Sequence, residues 1–143
     1  MNQQDKFNNS VAVLVKAYFE GVLEKGNCYA CAVGNLVVDA MGFTLAPHRL
    51  AWFDSEGQDI PFAWRRNDKE GERQRNAIGY SRAQVILIEQ AFEGWGDYND
   101  GPGSEYDGLM RVVDVLAEIH SIDLTTVAAS KALLYAPKSY GTL

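Results

Sequence analysis

Residues 11–22 read VAVLVKAYFEGV, and the apolar side chains of this stretch recur at helical spacing. They fall three or four residues apart on one stripe: Val11, Leu14, Val15, Tyr18, Phe19 and Val22. Such a stripe predicts an amphipathic helix that is buried along one face. The polar residues 8–10, Asn-Asn-Ser, precede the stripe and predict the N-terminal cap. Gly26 predicts the end of the helix, because glycine readily takes a positive φ.

Further helices are predicted on the C-terminal side of this one. A second helix is expected over residues 28–41, with Gly42 ending it. Residues 81–84, Ser-Arg-Ala-Gln, form a capping box that begins a third helix, and Ser104 caps a fourth. A shorter fifth helix is expected over residues 123–134.

Between the second and third helices, residues 43–80 lose the helical periodicity and predict a mainly irregular insertion. Within it, the aromatic segments 50–53 and 60–64 flank a turn signal and predict a short hairpin. The fold class expected is therefore all-α, with four to five helices in a single domain over residues 1–143. The tail after about residue 137 is expected to be loose.

Composition narrows the function classes. The 143 residues include 47% hydrophobic residues but no apolar run long enough for a membrane span, and the first ten residues lack a secretory signal. Two closely spaced cysteines are typical of a reducing compartment, so we expect a cytoplasmic protein with no membrane partner. A net charge of -6 and a pI near 4.8 argue against nucleic-acid binding.

One segment is basic against this acidic background. Residues 65–82 hold six basic and three acidic residues, a local charge of +3. The segment is expected to be a solvated polar loop or, alternatively, a site for an anionic ligand or acidic partner.

Cys28 and Cys31 lie three residues apart in the predicted opening turn of the second helix, which places both thiols on one face. Three interpretations stay open. They form a redox pair whose thiolate is stabilised by the helix dipole, they supply half of a zinc site completed by His48 and His120, or they are small buried residues. Outside the zinc interpretation, His120 is expected to cap the fourth helix and His48 to lie on the surface.

Glu24, Cys28 and Cys31 reproduce most of the E-x-x-x-C-x-x-C-x-x-x-H motif. The segment thereby resembles the all-helical alkylhydroperoxidase D (carboxymuconolactone decarboxylase-like) family. That resemblance implies thiol and peroxide chemistry at the two cysteines, with Glu24 assisting proton transfer. Asn35 stands where the family has its histidine, and an amide cannot shuttle a proton near neutral pH.

Residues 25–35, KGNCYACAVGN, also resemble a run in short uncharacterised phage and prophage proteins. This resemblance implies a protein that acts by inhibiting or sequestering a host or phage component.

The main functional prediction is a non-catalytic binding protein without a cofactor, which self-associates or binds a protein or a small anionic ligand. Its contact surface is predicted from the enrichment of aromatic and arginine side chains at interfaces. The surface consists of Trp52, Phe53, Trp64, Arg65 and Arg66. The alternatives are a thiol redox enzyme and a structural zinc module.

Overall fold

The computed structural model describes residues 2–46, 51–94, 104–123, 125–128 and 131. The helices are α1 (Gln3–Phe19), α2 (Ala32–Met41), α3 (Lys69–Ile78), α4 (Arg82–Glu93) and α5 (Glu105–His120). Three short strands, β1 (Thr44–Leu45), β2 (Trp52–Phe53) and β3 (Asp59–Ile60), form an antiparallel sheet. Residues 125–128, within the predicted fifth helix, are also helical. The protein is thus mostly helical, and the small sheet corrects the prediction of a purely all-α fold.

α1 begins earlier and ends earlier than predicted. The side chain of Asn2 accepts a hydrogen bond from the backbone N–H of Asp5 at 2.8 Å, so the cap lies at residue 2. Residues 8–10 lie inside the helix, and the prediction that they cap it is wrong. The chain leaves the helix at Gly21, with φ of +74°, and Gly26 belongs to a later turn.

α2 begins at Ala32 rather than at residue 28, because the preceding residues form tight turns. Cys31 is the N-cap, with an extended backbone. The backbone N–H of Ala30 donates to the carbonyl of Asn27 at 2.9 Å and closes one of these turns. The predicted end at Gly42 is confirmed, since this residue takes a φ of +68° after the last helical turn.

The predicted hairpin is present as β2 and β3, in which Trp52 is paired with Ile60 and Phe53 with Asp59. The carboxylate of Asp54 accepts two backbone N–H groups of the turn, each at 2.9 Å, and thereby fixes it. β1 adds a third strand on the other side of β2, which the sequence analysis did not predict.

α3 was expected to be a polar loop, and this expectation is wrong. Asp68 caps the helix by accepting from the N–H of Gly71 at 2.9 Å. The buried positions of α3 are Gly71, Gln74 and Arg75, which carry no apolar side chain. The Gln74 and Arg75 side chains instead donate to carbonyls of residues 61–66, so polar contacts take the place of an apolar stripe.

α4 and α5 begin at the predicted caps. Ser81 with Gln84, and Ser104 with Asp107, each form a reciprocal capping box. The two helices pack closely at Gly108. A Cβ at this position would lie 2.4 Å from the carbonyl oxygen of Phe92, so the close approach requires glycine.

The core fills the space between α1, α2, α4 and α5, with the sheet and the segment before α3 at one side. Its largest fully buried side chains are Trp52, Trp64, Phe7, Phe92, Leu14, Ile88, Leu109 and Leu116. Burial of this apolar surface is the main force that holds the helices together.

Among the described helices, none has both the length and the apolar character that crossing a membrane would require.

Candidate functional site

The predicted thiol site lies in the turns that lead into α2. Cys31 is fully enclosed, and its sulfur accepts the N–H of Gly34 at 3.3 Å as the helix N-cap. Burial raises the pKa of the Cys31 thiol far above its ordinary value, although the Gly34 N–H opposes the shift. The helix terminus therefore does not produce a thiolate here, because the loss of hydration outweighs one amide.

Cys28 lies outside the helix and is half-buried. Burial, with a smaller contribution from the carboxylate of Glu89, raises the pKa of the Cys28 thiol, while the guanidinium of Arg65 opposes the rise. Both cysteines are free thiols. The arrangement thus holds two protonated thiols near neutral pH, whereas a redox pair needs one of them as thiolate.

Glu89 is a buried carboxylate beside this turn. Its Oε1 lies 3.4 Å from Nη1 of Arg65, and only 4% of the residue is exposed. Within the described residues its Oε2 has no hydrogen-bond partner. Burial raises the pKa of Glu89, and Arg65 opposes this shift. A negative charge in this position disfavours ionisation of the neighbouring Cys28 thiol.

The other residues of the alkylhydroperoxidase-like motif have structural contacts. Glu24 is exposed and accepts a hydrogen bond from the Asn27 amide at 3.0 Å. Asn35 is buried, and its amide nitrogen donates to the carbonyls of Val22, Ala30 and Cys31 at 2.9 to 3.1 Å. Asn35 therefore holds the turn against α2 in the place where the family would carry a histidine.

The two indole rings also hold this turn. Trp52 Nε1 donates to the Tyr29 carbonyl at 2.8 Å, and Trp64 Nε1 donates to the Cys28 carbonyl at 3.1 Å. The backbone passes so close to α2 that a Cβ on Gly34 would lie 2.6 Å from the Tyr29 oxygen. We call residues 27–31 with these contacts the cysteine turn.

The structure separates the residues of the predicted contact surface. Trp52 and Trp64 have no exposed area, so the prediction that the indoles face a partner is wrong. They are buried because each ring packs in the core while its N–H reaches a backbone carbonyl. Phe53 is half-buried, and only Arg65 and Arg66 are exposed.

Three arginines of the basic segment form ion pairs. Arg65 pairs with Glu89, Arg66 pairs with Asp68 at 2.8 Å, and Arg73 pairs with Glu70 at 3.7 Å. Two of these pairs lie within the segment and are already counted in its charge of +3; only Glu89 is an acid from outside, so the pairs lower the net charge to about +2.

The zinc set is not brought together in the described residues. His120 is 4% exposed, and its two ring nitrogens contact Tyr80 Oη at 2.7 Å and Gln3 Oε1 at 2.6 Å. The expectation that this ring caps the carbonyls of its helix is also wrong, because it bonds to side chains of other elements. His48 lies outside the described residues. Among the residues described, no cluster of three or more histidines, cysteines and carboxylates is placed to hold a metal.

A groove that the sequence analysis did not predict runs between α1 and α2 and has a volume of about 310 Å³. Its walls are mainly apolar: Ala12, Val13, Ala17, Val22, Val38 and Leu45. Lys16, Glu20 and Asp39 stand at its edges. The lining residue Val22 is 36% exposed, and Phe19, which precedes the lining residue Glu20 in the chain, is 43% exposed. We call this feature the α1–α2 groove.

A second cavity, of about 230 Å³, lies between α1, the end of α3 and the end of α5. Its polar lining residues are Lys6, Asn9, Ser10, Asn76, Tyr80 and His120. We call it the His120 cavity. Neither cavity leaves a sequence motif, because each joins residues that are distant along the chain. The exposure of Phe19 and Val22 corrects the prediction that both belong to the buried stripe of the first helix.

Comparison of the chain with protein-family models, with curated proteins and with solved structures found no significant match. The chain is therefore described by its own structure: it is a mostly helical protein with a small antiparallel sheet, a cysteine turn and an apolar groove. The resemblances to the alkylhydroperoxidase D family and to phage proteins stay predictions.

Proposed function

We propose that this chain is a non-catalytic interaction protein that self-associates through the α1–α2 groove. The observation that carries the proposal is the groove itself, an apolar concave surface with charged edges and two exposed apolar side chains beside it. Apolar patches rimmed by polar residues are typical of protein-protein contacts.

The state of the cysteine turn supports the non-catalytic part. Both thiols have raised pKa values, and Trp52 and Trp64 are used to hold the backbone rather than to present a surface. A nucleophilic thiol acts as its thiolate, and a raised pKa disfavours that form near neutral pH.

The charges on α1 favour a second copy as the occupant. Lys16 and Glu20 lie one helical turn apart on the exposed side of α1. When two copies meet around a two-fold axis with their α1 helices antiparallel, Lys16 of each lies opposite Glu20 of the other. Two equivalent ion pairs then form at the edge of the contact, and the axis crosses α1 midway between Lys16 and Glu20.

The small side chains of the groove allow this approach. Ala12 is exposed, and Val13 and Val38 are half-buried, so a second helix can come close without steric conflict. The exposed ring of Phe19 in one copy then packs against the apolar walls of the other, where its removal from water stabilises the dimer.

Charge-reversed variants test the proposal without any knowledge of another partner. Sedimentation equilibrium of the wild type is expected to show a concentration-dependent dimer. In a Lys16→Glu dimer, the new carboxylate of each copy faces Glu20 of the other. In a Glu20→Lys dimer, the new ammonium of each copy faces Lys16 of the other. Each variant alone should dissociate roughly tenfold more readily, because two like-charged pairs replace two attractive ones.

An equimolar mixture of the two variants tests directly whether residues 16 and 20 face each other across the dimer. One copy then carries two acids and the other two bases, so the pairs become attractive again and a mixed dimer should form. A wild type that stays monomeric at every concentration would contradict self-association. Equal association of each variant alone and of the mixture would contradict this interface.

A role in inhibiting or sequestering a host or phage component, as the sequence resemblance implies, would use the same exposed groove. That setting stays a prediction. Its test is whether Lys16→Glu, which alters the groove edge, abolishes an inhibitory effect that a distant Lys69→Glu leaves unchanged.

A further inference from the structure

The inner wall of the His120 cavity is a chain of buried polar side chains. Ser10 Oγ and Tyr80 Oη are 2.7 Å apart, and Tyr80 Oη and His120 Nε2 are also 2.7 Å apart. The three residues come from α1, the turn before α4 and the end of α5, and each is at most 6% exposed. Buried polar groups are stabilised only when they are bonded, so this chain of contacts fixes the wall.

The direction of each hydrogen bond follows from His120. Burial lowers the pKa of His120, and the ammonium of Lys6 lowers it further, so the ring is neutral near pH 7. Gln3 Oε1 accepts only, so Nδ1 carries the proton and Nε2 is an acceptor. Tyr80 must then donate to Nε2, and Ser10 must donate to the oxygen of Tyr80.

In this series of hydrogen bonds, Ser10 Oγ is the terminal atom and can accept a further hydrogen bond. Its single proton is used toward Tyr80, while its oxygen keeps lone pairs for an incoming donor. One helical turn earlier on α1, Lys6 also lines the cavity and is exposed. The cavity thus places a cation and a hydroxyl acceptor one turn apart on the same helix face.

We propose that the His120 cavity binds a small organic carboxylate that also bears a hydroxyl group. The carboxylate pairs with Lys6, the hydroxyl donates to Ser10 Oγ, and the side-chain amides of Asn9 and Asn76 complete the polar contacts. Among the described residues that line the cavity, Lys6 is the charged group and no carboxylate opposes an anion.

The position and size of the ligand follow from the same walls. The cavity also touches the C-terminal end of α3, where backbone carbonyls disfavour negative charge. The carboxylate therefore lies at the Lys6 end and the rest of the ligand points inward. A volume of about 230 Å³ is below the roughly 300–1,000 Å³ of drug-sized pockets, so the ligand is smaller than a drug-sized molecule.

Nuclear magnetic resonance titration of the full chain tests the site, with glycolate as the probe and acetate as its analogue without the hydroxyl. Glycolate is expected to give saturable shifts at the amides of Lys6, Ser10 and Tyr80 and at the His120 ring. Acetate should bind more weakly, because it lacks the donor to Ser10.

Two variants separate the contributions. Lys6→Met should weaken glycolate binding by about tenfold, whereas Lys69→Met, which removes an equal charge on another surface, should leave it unchanged. Ser10→Ala should remove the preference for glycolate over acetate; circular dichroism checks that the fold is retained. If Ser10→Ala unfolds, the Lys6 and Lys69 pair still decides the question.

Shifts that are linear in concentration, or that spread over all basic side chains, would overturn the proposal. So would equal binding by the Lys6→Met and Lys69→Met proteins. Because Lys6 lies outside the α1–α2 groove, these outcomes are independent of whether the chain self-associates.

Discussion

Residues 27–31 of the cysteine turn and the lining residues of the α1–α2 groove all lie within the first 45 residues, yet the two regions have opposite characters. In the cysteine turn, the thiols and indoles that suggested a function in the sequence are buried or half-buried. Asn35 and two indoles bond to its carbonyls, and Gly34 allows the backbone to lie against α2. In the groove, ordinary alanine, valine and lysine side chains remain at the surface.

The difference shows that residue chemistry alone does not mark a functional site. A thiol becomes a nucleophile only where water or a cation stabilises its charge, and burial raises the pKa of Cys28 and Cys31. Side chains without reactive groups, such as Val13 and Val38, can form a recognition surface through shape and exposure. Substitutions in the cysteine turn should therefore change stability, while substitutions in the groove should change association.

The largest effect is expected for Gly34→Ala. Its new Cβ would lie 2.6 Å from the Tyr29 oxygen and 2.7 Å from the Cys28 oxygen, both of which are backbone atoms held by the indoles. We expect the free energy of unfolding to fall by about 3–4 kcal/mol, measured by urea denaturation.

Gly57→Ala is the matched control, because a Cβ there meets nothing within 4 Å and only its φ of +78° is unfavourable. It should cost about 1 kcal/mol. An equal loss in both variants would show that the close approach at Gly34 does not matter.

Asn35→Ala should be the next most damaging change. The substitution removes the amide from the carbonyls of Val22, Ala30 and Cys31. The last two keep the backbone N–H groups of residues 24 and 35, so the main loss is the bond that ties Val22 to α2. We expect a loss of about 2–3 kcal/mol in urea denaturation. Asn67→Ala, on an exposed residue, should change stability by less than about 0.5 kcal/mol. A similarly small loss for Asn35→Ala would contradict the conclusion that the Asn35 amide stabilises the cysteine turn.

A smaller effect is expected from the pH dependence of His120. Its pKa is lowered in the folded state by burial and by Lys6, so the unfolded chain binds the proton more readily. The stability that this difference provides is complete above the ordinary value of 6.5, and it is lost as the pH falls toward the lower folded value.

Thermal unfolding of the wild type and of His120→Gln at several pH values measures this contribution. Between pH 7.5 and pH 5.5 the wild type should lose more stability than the variant. Glu89 contributes with the opposite sign, since burial raises its pKa, but it is present in both proteins and cancels in the comparison. Parallel curves would contradict the neutral state assigned to His120.

The smallest effect on stability belongs to the groove. Lys16→Glu changes an exposed side chain of α1, so the unfolding free energy of the monomer should move by less than about 0.5 kcal/mol. The same substitution is expected to weaken self-association. Urea denaturation at low protein concentration isolates the monomer, and a large loss there would mean that the groove is a structural feature like the cysteine turn.

Local chemistry made part of the fold predictable. The capping boxes at Ser81 and Ser104, the stop at Gly42 and the hairpin around Asp54 depend on residues within a few positions of each other. Such short-range interactions can be read from a sequence because they do not depend on the rest of the fold.

The missed helix, α3, shows where periodicity fails. Its buried side is formed by Gly71, Gln74 and Arg75, so an apolar stripe never appears. Its ends nevertheless carry a signal: Asp68 can cap the first turn, and Gly79 takes a positive φ after the last. The caps of α3, Asp68 and Gly79, therefore indicate the helix in the sequence even though an apolar stripe does not.

The candidate sites were less predictable than the fold, because burial is decided by tertiary packing. The enrichment of tryptophan and arginine at interfaces favoured an exposed Trp52 and Trp64, but the same rings provide the largest apolar surface for a core. The raised pKa of Cys28 depends on burial and, to a smaller extent, on Glu89, which is far away in the sequence. The groove likewise needs α1, α2 and β1 together.

Cys31 is buried in the core and Cys28 packs against it, and we propose that the pair serves packing rather than a reaction. The most direct test of this central claim is the rate at which a chromogenic disulfide reagent modifies the thiols of the native protein at neutral pH, with mass spectrometry to locate the adducts. We expect slow modification of Cys28 and none of Cys31 until denaturant unfolds the chain. Rapid loss of both thiols, with formation of a Cys28–Cys31 disulfide in the native protein, would contradict the account.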